Sequence, residues 1–245
     1  MRHFLSNIVC GFIIKKSVRD KVRTIIRYPQ THEYIKFVRN YAKKMKKPKI
    51  RTTVGYGCHN FIVILNNKWV FKFPLLNDGH DVAIREKRIT DAFRTISPIK
   101  IPEMEIMYYN GITVRKYEFA NGILLTDVPA SVIAVHRKHI TKQLAQFLYT
   151  IGTSDPAEIA DLKKRKDEKF GFMHGWFQND IWQNFMLDPK TFNITYFIDW
   201  ENTKFGDFYE SLYVSAHNWD KFGYKCLIVD LMAEYAKIYM QHQGK

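Results

Sequence analysis

Cysteine is scarce in this chain, and its spacing excludes two classes at once. Cys10, Cys58 and Cys226 lie far from any metal-ligand spacing, and an odd number leaves one thiol over in any disulfide scheme. Neither a zinc module nor a disulfide scaffold is expected, and a reducing cytoplasmic setting follows. Long apolar runs are missing too. The best, Phe4 to Ile14, is interrupted by Ser6, Asn7 and Gly11 and falls short of the ~20 residues that a spanning helix needs. Lys15 and Lys16 follow it instead of a small-residue cleavage site, so it reads poorly as a secretory leader. Internal repeats and low-complexity linkers are absent. Acidic residues are in deficit, 24 against 38 Lys and Arg, for a net charge of +14. The excess gathers in Lys43 to Lys49, His136 to His139 and Lys163 to Lys166, which favours anionic partners. No nucleic-acid-binding motif accompanies it, and nucleic acid is not expected as a partner.

What is present is enough for a core. With 245 residues and 46% apolar composition, the chain suits one two-lobed unit or two small domains. The most informative stretch runs from His174 to Pro189 and resumes at Phe197-Ile198-Asp199-Trp200-Glu201. Apolar runs Phe185 to Leu187 and Ile194 to Ile198 flank the turn-rich Asp188 to Asn193, as in a hairpin. Antiparallel pairing brings the residue before the first strand to the one after the second, so Asn184 and Asp199 are predicted neighbours. Their side chains are hard oxygen donors, the kind that hold Mg²⁺ together with phosphate oxygens. Asp180 enters the same hairpin four residues upstream, where a phosphoryl-transfer enzyme needs a carboxylate to orient an attacking hydroxyl and take its proton. For each of these residues taken singly, turn formation is the alternative reading.

The order Asp180, Asn184, Asp199 resembles the aminoglycoside phosphotransferase and choline kinase branch of the protein-kinase-like superfamily. That family typically shows His-Gly-Asp or His-Asn-Asp, four residues, Asn, three apolar residues and Asp-Pro, then an apolar run into Ile-Asp-Trp-Glu. The match is close from Asn184 to Leu212, and Gly206-Asp207-Phe208-Tyr209 echoes the family's Gly-Asp-Pro helix start. It departs before Asn184. Trp176, not Asp, follows His174-Gly175, and the family spacing counted back from Asn184 lands on Asn179. Asp180, one residue nearer, is the candidate base, with a degenerate site as the alternative. The resemblance implies a loop-supporting role for His174, ATP and Mg²⁺ as cofactors, and an α+β bilobal kinase-like fold. In that fold a small antiparallel sheet lobe with one helix accompanies a larger, mainly helical lobe.

Such a fold requires a phosphate-holding lysine on a strand and a glutamate partner on a helix. Trp69, Phe71 and Phe73 alternate onto one face, which puts Lys72 on the other. Val82, Glu86, Ile89 and Phe93 recur at helical spacing, so Glu86 lies on an apolar stripe where a carboxylate needs a partner. Lys72 with Glu86 meets both needs; surface charge among Arg85, Lys87 and Arg88 is the alternative for Glu86. Upstream, strands Ile50 to Val54 and Phe61 to Leu65 flank Gly55-Tyr56-Gly57-Cys58-His59-Asn60. Gly55 and Gly57 are candidates for a nucleotide cover, with a plain hairpin loop as the alternative. Ile112 to Phe119 is extended and breaks at Ala120-Asn121-Gly122, so Glu118 and Phe119 stand at the position of an adenine-binding hinge.

The expected organisation is a basic helical extension at 1–47, a nucleotide-binding lobe at 48–119 and a catalytic lobe at 120–245. Within the extension, Tyr34, Val38, Tyr41 and Met45 form a helical stripe that core packing explains better than membrane insertion. The function expected is an ATP- and Mg²⁺-dependent phosphotransferase acting on a hydroxyl of a small-molecule or glycolipid acceptor. The positive charge favours an anionic sugar or glycolipid such as a lipopolysaccharide-core precursor, with peripheral contact at an anionic inner-membrane face, over polycationic aminoglycosides. Glu201 is a candidate acceptor contact, with surface exposure as the alternative. A pseudokinase is the rival reading. A protein Ser/Thr kinase fits less well, because Gly206-Asp207 follows Asp199 too soon for a long activation loop.

Overall fold

The computed structural model describes residues 2–47, 49–56, 59–75, 79–163, 174–178 and 180–243. They form two compact units, Met1–Ile84 with Met104–Phe119 and Arg85–Glu103 with Ala120–Lys245. The architecture is α+β.

The first unit is built on a five-stranded antiparallel sheet. Its strands are β1 (Thr52–Tyr56), β2 (Asn60–Leu65), β3 (Trp69–Pro74), β4 (Met104–Tyr109) and β5 (Ile112–Glu118), in the order β1-β2-β3-β5-β4. Two tight turns set the registers. Asn66 and Asn67 both take positive φ between β2 and β3, and Asn110 and Gly111 do the same between β4 and β5. Two consecutive left-handed residues match the strand twist, and Asn and Gly tolerate them best. Three helices precede the sheet: α1 (Arg2–Gly11), α2 (Lys16–Arg27) and α3 (Thr31–Lys44). On α3, Tyr34, Val38 and Ala42 are buried against Phe61, Val63, Phe71 and Phe73. The Tyr34 ring stacks on Phe73 with centroids 4.4 Å apart. The helical stripe expected from the sequence is therefore core packing, except that Met45 lies past the helix end and is 54% exposed. Ala42 takes the inward position.

Helix α4 (Gly79–Arg94) starts in the first unit, and its Arg85–Arg94 portion belongs to the second. The second unit adds β6 (Ile123–Leu124), α5 (Ala130–Thr153), β7 (His174–Gln178), β8 (Phe185–Leu187), β9 (Ile194–Phe197), β10 (Thr203–Asp207), α6 (Tyr209–Lys221) and α7 (Cys226–Gln243). β6, β8 and β9 make one small sheet, and β7 pairs with β10. Phe147 stacks on Phe197 at 4.6 Å, and both pack with Trp200. Each such buried aromatic contributes about 1.5–3 kcal/mol of transfer free energy. No described helix is long and apolar enough to cross a membrane.

Close approach fixes one glycine. A Cβ on Gly175 in β7 would sit 1.9 Å from the Gly152 carbonyl oxygen of α5, whereas one on Gly206 in the paired β10 would meet only the Phe177 ring at 3.7 Å. Gly175→Ala is expected to lower stability by about 1–3 kcal/mol, the usual range for overpacking, in urea unfolding; Gly206→Ala is expected to be near neutral.

The β8–β9 turn holds a titrating cap. The Asp188 carboxylate accepts from the Thr191 and Lys190 amides, each at 2.8 Å, and from the Thr191 hydroxyl. These donors, the Thr191 amide foremost, hold its pKa below the ordinary carboxylate value. A carboxyl whose pKa is depressed on folding contributes stability that is present above its unfolded value of about 4 and is lost as pH falls through the folded one. The urea-midpoint difference between wild type and Asp188→Ala should therefore be clear at neutral pH and shrink below pH about 4.

Candidate active site

The β8–β9 hairpin brings together the residues that its sequence pattern predicts. Phe185 pairs with Phe197, and the Ile198 amide donates to the Asn184 carbonyl at 2.8 Å. Asn184 Nδ2 faces the Asp199 carbonyl at 3.5 Å. Asp199 itself is left-handed, at φ 60° and ψ 70°, a conformation that carries strain of order 1–3 kcal/mol in a non-glycine residue and concentrates at functional sites. It turns the chain out of β9 and directs its carbonyl back to the loop that enters the hairpin.

A residue that the sequence pattern does not single out ties this loop down. Gln178, buried at the end of β7, donates from Nε2 to the Asp199 carbonyl at 2.6 Å, and its Oε1 accepts the Asp180 amide. The Ser211 hydroxyl on α6 holds the Gln178 carbonyl at 2.9 Å. Asp180 then closes a turn, its carbonyl accepting the Gln183 and Asn184 amides at 3.2 Å. Its half-buried carboxylate accepts from Asn202 Nδ2 at 2.7 Å. No spacing rule flags a lone Gln; only its place before the loop could have marked it.

Trp176 is not a displaced loop residue. It lies inside β7, 1% exposed, with Phe93 and Phe205 packed edge-on at 5.9 and 5.5 Å. The match of His174-Gly175 to the family motif is thus a match to a core strand, with Gly175 opposite Gly206. The His174 side chain and Asn179 lie outside the described residues. Asp180 is the sole carboxylate between Gln178 and Asn184.

Glu86 on α4 is fully buried, which rules out the surface-charge alternative, and its Oε1 accepts the Trp200 amide at 3.0 Å. The neighbouring Arg85 donates to the carbonyls of Glu201 and Thr203 at 3.3 and 2.5 Å, and burial lowers its pKa. Two successive α4 residues therefore stitch the segment after Asp199. Glu201 is half-buried and takes part through its carbonyl.

In the first unit, Lys72 is buried on β3, directly opposite Ile62 and Arg115. Arg115 is also buried, and its guanidinium donates to Asn60 Oδ1. The two buried basic residues therefore stand in cross-strand register. Arg115 escapes the sequence pattern because it follows Val114 in a strand read only for its apolar run. Gly55 lies within β1 opposite Ile62, with ordinary room for a Cβ, so it is a strand residue and not part of the turn. Gly57 and Cys58 lie outside the described residues. Glu118 ends β5 opposite Trp69, and the Phe119 amide donates to the Lys68 carbonyl at 2.9 Å, which occupies it within the sheet.

The donor set suits a hard cation shared with a ligand. Asn184 commits its amide nitrogen to a carbonyl, which leaves Oδ1 as its acceptor. One amide oxygen and one carboxylate match the one or two protein ligands typical of Mg²⁺ bound with phosphates. Among the described residues, no group of three or more His, Cys, Asp or Glu could hold a metal by itself.

No protein-family model matches the chain, and no curated protein sequence does. Solved structures do match in fold. Aminoglycoside 2′-phosphotransferase-IIIa, a mutant in its GDP complex, superposes with a TM-score of 0.66 at 14% identity, covering 85% of this chain and 84% of that one. The ADP-bound aminoglycoside phosphotransferase APH(2″)-Ib gives 0.60 at 13%, covering 84% and 85%. Macrolide 2′-phosphotransferase MphH from Brachybacterium faecium gives 0.59 at 13%, covering 84% and 83%. The chain has the protein-kinase-like fold of these proteins.

The Gln178 bridge is testable. Gln178→Leu leaves the Asp180 amide and the Asp199 carbonyl without their partner and should lower stability by about 1–3 kcal/mol in urea unfolding. Gln178→Glu keeps an acceptor for Asp180 but sets an oxygen against the Asp199 carbonyl. Burial beside that carbonyl raises the new carboxyl's folded pKa, so the variant's deficit relative to wild type should narrow as pH falls from neutral toward about 4.

Proposed function

We propose that this chain is a phosphotransferase that uses ATP and Mg²⁺ to phosphorylate a hydroxyl of a small-molecule or glycolipid acceptor. The observation that carries the reading is the assembly of Asp180, Asn184 and Asp199 around the Gln178 amide, in a fold whose solved examples are named as phosphotransferases. Asn184 and Asp199 would hold the metal, which supplies charge neutralisation on the phosphates. Lys72, supported by Arg115, holds phosphate oxygens, and Glu86 is the carboxylate assigned to Lys72. Glycine-bearing β1 and the end of β5 at Glu118 take the cover and hinge roles in the first unit.

Asp180 is the base. The acceptor oxygen forms its bond to the terminal phosphorus as the bond to the ADP oxygen breaks, and the hydroxyl proton passes to the Asp180 carboxylate. Asn202, bonded to that carboxylate, orients it.

Streptomycin appears with ATP in the named complex of one structural neighbour and gentamicin with another. Aminoglycosides are polycations, whereas this chain carries +14. A surface sugar or glycolipid presented at an anionic membrane fits that charge better, with the enzyme a peripheral protein on the cytoplasmic face. The rival reading is a nucleotide-binding pseudokinase, favoured by Asn179 standing at the family position of the base.

Transfer from labelled ATP to a panel of phosphorylated sugars, lipopolysaccharide core fragments and aminoglycosides separates these readings. Wild type is expected to label an anionic acceptor, and Asp180→Ala should reduce turnover by about 10²-fold or more while leaving nucleotide affinity within a few-fold. Unchanged turnover in Asp180→Ala removes it as the base. Nucleotide binding without transfer to any acceptor favours the pseudokinase.

A further inference from the structure

Helices α1 and α2 present an inverted face. Ser6 and Cys10, one turn apart on α1, are buried. Polar contacts to α2 hold them: Arg27 donates to the Ser6 hydroxyl and to Asn7 Oδ1, each at 2.7 Å, and the Cys10 thiol donates to the Arg19 carbonyl at 3.5 Å. Leu5, Ile8, Val9 and Phe12, at spacing i, i+3, i+4, i+7, face outward and are 38 to 85% exposed. Ile14, between the two helices, and Val18 on α2 are exposed as well, at 97% and 43%. A helix of a soluble domain ordinarily buries such a stripe. A contiguous exposed one marks an interaction surface.

The charge distribution says what kind. Residues 1–47 hold 13 Lys and Arg against 2 Asp and Glu, which is +11 of the chain's +14; residues 48–245 hold 25 against 22, only +3. Nearly all the excess therefore belongs to the segment that bears the apolar strip, with Lys15 and Lys21 exposed beside it. An apolar stripe rimmed by cations suits the boundary of an anionic bilayer, where the stripe enters the acyl region and the cations meet lipid phosphates. A second copy of the chain would bring a like charge to the same face.

We propose that α1 and α2 form an interfacial anchor that docks this protein on an anionic lipid surface. The helix pair lies on the membrane and does not cross it. Vesicle binding reads this surface without catalysis, so the anchor and the phosphotransferase reading stand or fall separately.

Flotation of the full chain with phosphatidylcholine vesicles, with and without phosphatidylglycerol, is the test. Binding is expected only to the anionic vesicles and should weaken with rising salt. The double substitution Ile8→Glu with Phe12→Glu, at positions exposed in the fold, should lower partitioning by about tenfold or more with circular dichroism unchanged. Val135→Glu, a control at a 78% exposed residue of α5, should leave it unaltered. No binding, equal binding to neutral vesicles, or undiminished binding by the double variant overturns the proposal. Self-association abolished by the same double variant also overturns it, because the face then belongs to a second copy.

Discussion

One buried amide holds the candidate loop in register with the hairpin that follows it. Gln178 receives the Asp180 amide at one end and donates to the Asp199 carbonyl at the other. Without that bridge the left-handed turn at Asp199 and the tight turn at Asp180 would each have to persist alone. With it they become one unit, backed by Ser211 on α6 and by Glu86 on α4 through the Trp200 amide. Buried hydrogen bonds of this kind add little net stability when made and are expensive when half broken. Breaking one end of the bridge is therefore expected to cost more than the bridge contributes when intact.

Charged side chains are buried in both units. Lys72, Arg115 and Glu86 are all buried, and a buried charge persists only where it is paired and hydrogen-bonded. The net positive charge is concentrated elsewhere, with +11 of the +14 in residues 1–47.

Much of this was legible in the sequence, for identifiable reasons. The hairpin from Asn184 to Asp199 shows because apolar strands flank a polar turn, and Lys72 and Glu86 show because strand and helix periods place a charge among apolar neighbours. The Asn110-Gly111 turn, which sets the β4–β5 register, is itself a strong hairpin signal. Trp176 and Phe177 show strand character after His174-Gly175, and the structure places them in the buried strand β7. Gln178 and Arg115 were invisible, since their roles depend on partners 21 and 55 residues away. The inverted face of α1 also lay beyond reach, because an apolar run does not say which side is buried.

The most direct test of the central claim is calorimetric titration with ATP, with Mg²⁺ present and with it chelated, for wild type and Asp199→Ala. If Asn184 and Asp199 hold a nucleotide-bound cation, wild-type affinity will fall by at least about tenfold on chelation, a difference of 1.4 kcal/mol, and the variant will match chelated wild type in both conditions. Cation-dependent binding by Asp199→Ala equal to that of wild type would contradict the account.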